Sequence, residues 1–216
     1  EMGMSESWTD CAYWIGGGSC SGKSTVADAL GELTGFRVVH LDDWLFEIVG
    51  ESDEASSPAM NWYRTTDTGE WFAESGRRPV ERYLDSLREE MEKSLPRLAK
   101  TVDSESIIEG NCFLPEFAGS LALPGRSVWM VATDEFREAR YAEREFRHGI
   151  LDVHTDPAAA WRNWMDRDHR QAAFVRASAG ELGLEVVDVD GSETPLALAE
   201  SIAVHLGLDT GTQANT

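Results

Sequence analysis

The sequence has few cysteines, few histidines and no long apolar run. Its three cysteines are an odd number without a C-x-x-C pair, which argues against both a disulfide framework and a zinc site. The five histidines show no metal-ligand spacing, and we assign none of them a catalytic role. No apolar segment is long enough to span a membrane, and no signal peptide is recognisable. These absences predict a cytoplasmic protein without a membrane partner.

Basic residues are also scarce. The 216 residues include 19 Lys and Arg against 39 Asp and Glu, which gives a net charge of −20. Such a surface repels nucleic acid and anionic lipid, so a nucleic-acid partner is disfavoured. Solubility is the plainer reason for the acidic excess. A few clustered cations can still form a local site for an anionic ligand.

The most informative segment is residues 17–25, because it contains the pattern G-x-x-x-x-G-K-[ST] of a phosphate-binding loop, or P-loop. Its glycines allow a turn tight enough for backbone N–H groups to face phosphate oxygens. Lys23 is expected to reach the β- and γ-phosphates, and the Ser24 hydroxyl to ligate Mg²⁺. The start of the following helix adds positive potential. The predicted nucleotide contacts are Gly17, Gly18, Ser19, Cys20, Ser21, Gly22, Lys23, Ser24 and Thr25.

The residues on either side of this loop support the motif. Residues 11–16 form a short apolar run of strand type, and apolar residues recur at helical spacing from Val26 to Leu33. A strand, a glycine-rich loop and a helix therefore follow one another in the order that triphosphate binding requires. We predict ATP and Mg²⁺ as cofactors.

Strand and helix patterns alternate along the rest of the chain, which predicts a parallel sheet covered on both faces. We expect a single α/β domain over residues 1–216: a three-layer P-loop fold with about five parallel strands and a small helical lid over 134–150. Residues 207–216 are expected to be a disordered tail. The further strand candidates are 36–41, 106–109, 127–132 and 184–189, and the further helix candidates are 80–98, 134–147, 157–182 and 195–206.

Residues 44–78 lack clear periodicity and are rich in aromatic residues. A stretch of this length without periodicity is commonly a functional loop, so we expect it to be an insert that binds the phosphate acceptor. Trp44, Trp62 and Trp71 suit an apolar wall for a flat substrate ring, with Trp71 the predicted contact. Packing of the insert against the sheet explains these tryptophans equally well.

Acidic residues follow two of the predicted strands. Asp42 and Asp43 come after the second strand, and Glu109 ends the third. Ligands of such sheets bind at the carboxyl ends of the strands, where phosphoryl transfer needs Mg²⁺ and a base for the attacking hydroxyl. One carboxylate at each of these strand ends can supply the base and a magnesium contact, and we predict all three acids as substrate contacts. The alternatives are that these acids cap turns and that strand alternation points Asp43 away.

Four arginines recur within one predicted helix. Arg137, Arg140, Arg144 and Arg147 fall within an arc of roughly 80° on a continuous helix. Guanidinium groups suit phosphate oxygens, so this stripe can close over the γ-phosphate as a lid, with Arg140 and Arg144 the predicted catalytic members. The alternative is a solvated helix with ion pairs along its surface. Arg167 is a weaker candidate from a second set.

Three segments of the sequence resemble the uridine kinase and nicotinamide riboside kinase group of P-loop small-molecule kinases: residues 17–25, 39–44 and 107–114. In that group, the first Asp after strand two is the base for the accepting hydroxyl, and the Glu that ends the third strand serves magnesium or substrate. The resemblance therefore implies these roles for Asp42 and Glu109. The group also has lid arginines, and their match to Arg140 and Arg144 in this sequence is less close.

The resemblance also implies that the turn at residues 190–194 contacts adenine. Trp44 replaces the usual Phe of the group, and residues 45–78 match no substrate signature that we recognise. The sequence thus predicts an ATP- and Mg²⁺-dependent kinase acting on a hydroxyl of a small metabolite, such as a nucleoside or riboside. A nucleoside monophosphate kinase and a nucleotide-binding regulatory switch are the alternatives. A monomer and a homodimer both remain open.

Overall fold

The computed structural model describes residues 7–122 and 124–210, which fold around a five-stranded sheet. The strand order is β2-β3-β1-β4-β5, and every pair of neighbouring strands is parallel. This confirms the predicted α/β class. The strands are β1 (Ala12–Gly17), β2 (Arg37–His40), β3 (Ser106–Glu109), β4 (Ser127–Ala132) and β5 (Val186–Val189).

Helices connect the strands and cover both faces of the sheet. Of the helices within residues 7–122 and 124–210, none combines the length and apolarity that a membrane crossing requires. The helices are α1 (Lys23–Thr34), α2 (Leu45–Gly50), α3 (Pro58–Thr65), α4 (Arg77–Thr101), α5 (Ala118–Leu121), α6 (Asp134–Ala142), α7 (Phe146–Leu151), α8 (Pro157–Glu181) and α9 (Pro195–Leu206).

Alternating side chains of the central strand β1 divide the core into two layers. Trp14 packs with residues of α4 and α8, whereas Tyr13 and Ile15 pack with residues of α1 and α9. On the α4 side, Trp14 and Trp129 stack on either side of Phe113, with ring centroids 4.4 and 5.2 Å from it. Helices therefore form the outer layers, as the alternation of elements predicts.

The insert at residues 44–78 is more regular than the sequence indicates, since it contains α2 and α3. The N-terminus of α3 docks on α4, where both carboxylate oxygens of Glu89 accept backbone N–H groups, from Ala59 at 2.9 Å and Met60 at 2.7 Å. These are donors that a helix cannot satisfy internally. The helix is thus fixed by a partner distant in the chain, which periodicity does not reveal.

The predicted single helix over 134–147 is wrong, because the chain breaks between α6 and α7. Tyr141 near the end of α6 donates a hydrogen bond to Asp168 of α8 at 2.7 Å, and its ring packs 4.9 Å from that of Trp164. Phe146 opens α7 and contacts the same Trp164 ring, at 6.3 Å. Packing both short helices on α8 outweighs continuing one straight helix.

The end of α9 differs from the predicted tail over 207–216. Gly207 adopts a left-handed conformation (φ 67°) that ends the helix, and Leu208 packs against the core layer under α1 and α9. Residues 211–216 of that predicted tail, like residues 1–6, lie outside the described residues.

Candidate active site

The P-loop connects the end of β1 to the start of α1, as the motif predicts. Gly18 donates its N–H to the Met130 carbonyl at 3.1 Å, and the Ser21 hydroxyl donates to the Gly18 carbonyl at 2.9 Å. Gly22 is in the left-handed region (φ 80°) immediately before Lys23, the first residue of α1. Cys20, with φ 57°, is the positive-φ residue that is not glycine among those described.

The loop imposes glycine at its first position, and this yields a prediction. Gly17 has φ 133°, and an added Cβ would lie 1.9 Å from the Met130 carbonyl oxygen. We expect Gly17→Ala to abolish nucleotide binding and to lower the melting temperature markedly, since strain of about 1–3 kcal/mol adds to a backbone clash. Binding and thermal unfolding measurements check this.

The matched control for that variant is Gly180→Ala in α8. Nothing lies within 4 Å of a Cβ added at Gly180. This variant should gain about 0.5–1 kcal/mol in stability because alanine is the better helix former. If Gly17→Ala behaved like Gly180→Ala, the geometry of the loop would be wrong.

The Lys23 ammonium is held inside the site by two oxygens. Its Nζ donates to the Gly18 carbonyl at 2.8 Å and to Asn111 Oδ1 at 2.7 Å. Burial lowers the pKa of Lys23, and the negative charges of Glu109 and Asp42 oppose this. Asn111 also donates to the Ser19 hydroxyl, at 3.4 Å, so it links the end of β3 to the P-loop. The sequence analysis assigned Asn111 no role. Its position two residues after Glu109, at the same end of β3, is the sequence feature that could have indicated one.

Glu109 is buried at the end of β3 and is held by a histidine. Its Oε1 lies 2.7 Å from His40 Nδ1, and His40 Nε2 lies 3.1 Å from Asp28 Oδ1. Burial lowers the pKa of His40, but the hydrogen bonds and charges of Glu109 and Asp28 outweigh it, so the pKa is raised overall. His40 and Glu109 face each other across the β2–β3 register. The sequence analysis assigned no histidine a catalytic role and did not predict this supporting contact of His40.

Asp42 lies in a 3-10 turn, Leu41–Trp44, rather than in a strand. The alternation argument that separated Asp43 from Asp42 therefore does not apply. Asp42 is exposed, yet enough protein surrounds its carboxyl that partial desolvation raises its pKa. The negative charges of Glu109 and Asp43 raise this pKa further, whereas the positive charges of Lys23 and His40 lower it. Asp42 thus belongs to the same electrostatic cluster as Lys23 and Glu109.

The side chains at this edge fit a magnesium ion that arrives with a nucleotide. Within residues 7–122 and 124–210, no group of three or more His, Cys, Asp or Glu side chains forms a metal site of its own. Magnesium in nucleotide sites takes only one or two protein ligands beside phosphates and water. Ser24 is exposed in the first turn of α1, next to Lys23. Ser24 and a nearby carboxylate meet that requirement.

The predicted arginine stripe does not exist as a single surface. Arg137 is buried, with its guanidinium bonded to Asp134 at 2.8 Å and to the Ala132 carbonyl at 3.0 Å. Arg140 is exposed and pairs with Glu143 at 2.9 Å. These two arginines already differ within α6. The break after α6 then separates them from Arg144 and Arg147, because the 3-4-3 spacing gives a stripe only on a continuous helix.

Arg144 and Arg167 are each linked to a residue of the P-loop. Arg144 is exposed, and its positive charge lowers the pKa of the Cys20 thiol, which burial raises more strongly. Arg167 is buried on α8; it bonds to Asp168 at 2.8 Å, and its guanidinium lies 3.9 Å from the Tyr83 ring centroid. Tyr83 in turn lies 3.5 Å from the Ser19 hydroxyl. The weaker sequence candidate, Arg167, is therefore part of the wall of the site.

The three insert tryptophans do not form one wall. Trp44 packs with the sheet core, whereas Trp71 packs in a cluster that includes Cys20 of the P-loop. Tyr63 links Trp62 and Trp71, with ring centroids 5.0 and 5.5 Å away. The insert thus approaches the P-loop through Trp71, the tryptophan predicted as a substrate contact. That role stays a prediction.

A groove of about 640 Å³ between α3 and α4 lies outside this site. Its lining comes from residues 58–62 and 78–89 and includes Trp62, over which Arg82 stacks at 3.7 Å. Tyr83 and Glu90 point from α4 toward the P-loop side, so the groove occupies the opposite side of that helix. The groove is therefore separate from the phosphate site, and its volume does not measure the space available to a nucleotide or acceptor.

Glu90 is a buried carboxyl on α4 beside this site. Burial, followed by the negative charge of Asp42, raises the pKa of Glu90 to about 8. Its Oε1 has no hydrogen-bond partner among the described residues. A neutral, protonated Glu90 is therefore the form that the folded protein favours at neutral pH.

The raised pKa of Glu90 predicts a pH-dependent stability. The unfolded carboxyl ionises near pH 4.5, so the wild-type protein loses stability as pH rises from there to about 8, by about 1.4 kcal/mol per pH unit at most. Glu90→Gln lacks this ionisation. The stability advantage of Glu90→Gln should thus grow between pH 5 and pH 8, as measured by denaturant unfolding. A constant difference across that range would contradict the assignment.

The turn after β5 lies beside α6. Asp190 accepts the backbone N–H of Ser192 at 2.8 Å, and Thr194 caps α9 by accepting from Ala197 at 3.2 Å. A Cβ added at Gly191 would lie 2.7 Å from the Phe136 ring. An adenine contact at residues 190–194 stays a prediction.

The chain matches no protein-family model and no curated protein sequence. Among solved structures, a shikimate kinase from Acinetobacter baumannii in complex with shikimate aligns with a TM-score of 0.51 at 16% identity, over 91% of this chain and 93% of that chain. This likeness shows the fold alone, an α/β fold with a parallel sheet between layers of helices. An unliganded sugar kinase from Janibacter sp. aligns with a TM-score of 0.49 at 19% identity, over 93% and 96%.

Proposed function

We propose that this protein is an ATP- and Mg²⁺-dependent kinase that transfers the γ-phosphate to a hydroxyl of a small metabolite. One observation carries the proposal: the ends of β2 and β3 bring Asp42 and Glu109 into one electrostatic cluster with Lys23 of the P-loop. This cluster offers a cation for the phosphates, a carboxylate for the hydroxyl proton and a magnesium contact.

Each residue has a proposed task in the transfer. Lys23 exchanges the Gly18 carbonyl and Asn111 for phosphate oxygens when nucleotide binds. Asp42 orients the acceptor hydroxyl and takes its proton. Arg144, beside Cys20, is the better placed of the two lid arginines, whereas Arg140 must leave Glu143 to take part.

Magnesium would be held by Ser24, with Glu109 as the nearby carboxylate, and would neutralise charge on the transferring phosphate. Glu109 has one oxygen on His40, which leaves its other oxygen for the metal or the acceptor. His40 thereby fixes the orientation of Glu109, as supporting residues commonly do for metal ligands.

The charge balance around the site favours an uncharged acceptor over a phosphorylated one. The buried Arg167 is neutralised by Asp168 at 2.6 Å, and the exposed carboxylates of Asp42 and Asp43 lie at the acceptor side, just after β2. An acceptor phosphate would meet net repulsion there. We therefore favour a nucleoside or riboside hydroxyl over a nucleoside monophosphate.

A substrate panel tests this function. Nucleosides, nucleoside monophosphates, sugars, vitamins and aminoglycoside-like alcohols are each incubated with MgATP, and acceptor-dependent ADP release is measured against Lys23→Ala. At least one uncharged hydroxyl compound should stimulate ADP release in the wild type alone. Stimulation by monophosphates only would replace the proposal with a nucleoside monophosphate kinase, and ADP release unaffected by all acceptors would favour a regulatory switch.

A further inference from the structure

Gln171 on α8 carries a buried amide that the fold does not use. Its side chain is 1% exposed, and both Oε1 and Nε2 lack a hydrogen-bond partner among the described residues. A buried polar group without a partner costs about 1–3 kcal/mol. Because its neighbour Ala172 and the next-turn residue Val175 belong to the apolar core, a leucine or methionine would suit position 171 if packing were its only task.

The Gln171 amide lies against the P-loop. Its Oε1 is 3.2 Å from the point that a Cβ on Gly18 would occupy. The carbonyl of Gly18 accepts the Lys23 ammonium at 2.8 Å, and that ammonium is the group that reaches the β- and γ-phosphates in such loops. The Gln171 amide is therefore adjacent to the P-loop residue that positions the Lys23 ammonium.

Two polar neighbours on this face of α8 have protein partners. Arg167 and Asp168, one turn before Gln171, bond to each other at 2.8 Å, and Tyr141 donates to Asp168 at 2.7 Å. Gln171 differs from Arg167 and Asp168 because no residue within 7–122 and 124–210 satisfies its amide. A ligand in the P-loop is the partner that its position makes available.

We propose that Gln171 is a positioning residue for the transferred phosphoryl group. When nucleotide is bound, its amide turns so that Nε2–H, in place of the Oε1 that faces Gly18 without ligand, donates to a γ-phosphoryl oxygen. The inference rests on the proposed function in one respect: phosphoryl transfer is what the contact would serve. The contact itself requires only that a nucleoside triphosphate occupies the P-loop. It adds a neutral donor from α8 to the cations Lys23 and Arg144, and it explains why the fold retains an unsatisfied amide at a core position.

The test uses Gln171→Met, which keeps the length of the side chain and removes its hydrogen bonds. Thermal unfolding is measured without ligand, and the affinities for MgADP and for Mg²⁺ with a β,γ-imido analogue of ATP are measured by calorimetry. We expect a higher melting temperature without ligand, an unchanged affinity for MgADP, and an affinity for the analogue lowered about tenfold. Gln171→Glu should weaken analogue binding further, since it places a negative charge beside phosphate.

Two results would overturn the inference: an unchanged affinity of Gln171→Met for the analogue, or a lowered melting temperature without ligand. Gln171→Leu, measured in parallel, answers the same questions should the methionine variant fail to fold. Failure of the proposed function is recognised separately. Wild-type protein that binds both nucleotides but phosphorylates no acceptor would refute the kinase and leave this contact testable.

Discussion

Lys23→Ala should lower the rate of phosphoryl transfer about 10³-fold, because one preorganised cation at the γ-phosphate is lost. The ammonium is buried between Gly18 and Asn111, so no other lysine can take its place without moving the loop. The fold should survive this change, since burial already lowers the pKa of Lys23 and thus penalises its charged form. Steady-state kinetics and circular dichroism check the two statements.

The control for that experiment is Lys100→Ala at the exposed end of α4. It removes the same charge from the protein without touching the P-loop, so its turnover should match that of the wild type. Turnover above a tenth of the wild-type value in Lys23→Ala would show that the phosphate is held elsewhere.

The second large effect is expected for Asp42→Asn, with kcat reduced by about 10²–10⁴-fold and nucleotide affinity unchanged. The variant keeps the shape of the side chain and loses its ability to take a proton. Because the pKa of Asp42 is raised, the wild-type rate should fall on the acid side at a pH above the ordinary range for aspartate. That acid limb should be absent from the residual activity of Asp42→Asn.

Two further variants make this result specific. Asp103→Asn changes an exposed acid just before β3, at the opposite end of that strand from Glu109, and should be silent. Asp43→Asn distinguishes the role of Asp43 from that of Asp42. The comparison is needed because the charge of Asp43 raises the pKa of Asp42. Full turnover of Asp42→Asn, or a larger loss in Asp43→Asn, would show that the base has been assigned to the wrong residue.

The part of the fold that local pattern determines was predictable. Apolar runs define β3 and β4 at the observed bounds, and the P-loop motif places Lys23 and Ser24 at the start of α1. These features depend on residues adjacent in the chain. Parallel strands then bring their carboxyl ends to one edge, which is why Asp42 and Glu109 lie near Lys23.

The parts that tertiary contacts determine were not predictable. The break between α6 and α7 depends on Tyr141 and Phe146 packing against α8, so the arginine stripe was wrong. The pairing of His40 with Glu109 depends on the register of β2 with β3. A single sequence carries no signal for either contact, because the partners are distant along the chain.

The fate of the γ-phosphate tests the central claim most directly. Phosphorus NMR of MgATP with the best acceptor from the panel follows both products of the reaction at once. The proposed kinase should form a new phosphomonoester in step with ADP, and Asp42→Asn should slow both signals together. Inorganic phosphate as the only new product, or a phosphoanhydride on a phosphorylated acceptor, would contradict transfer to a hydroxyl.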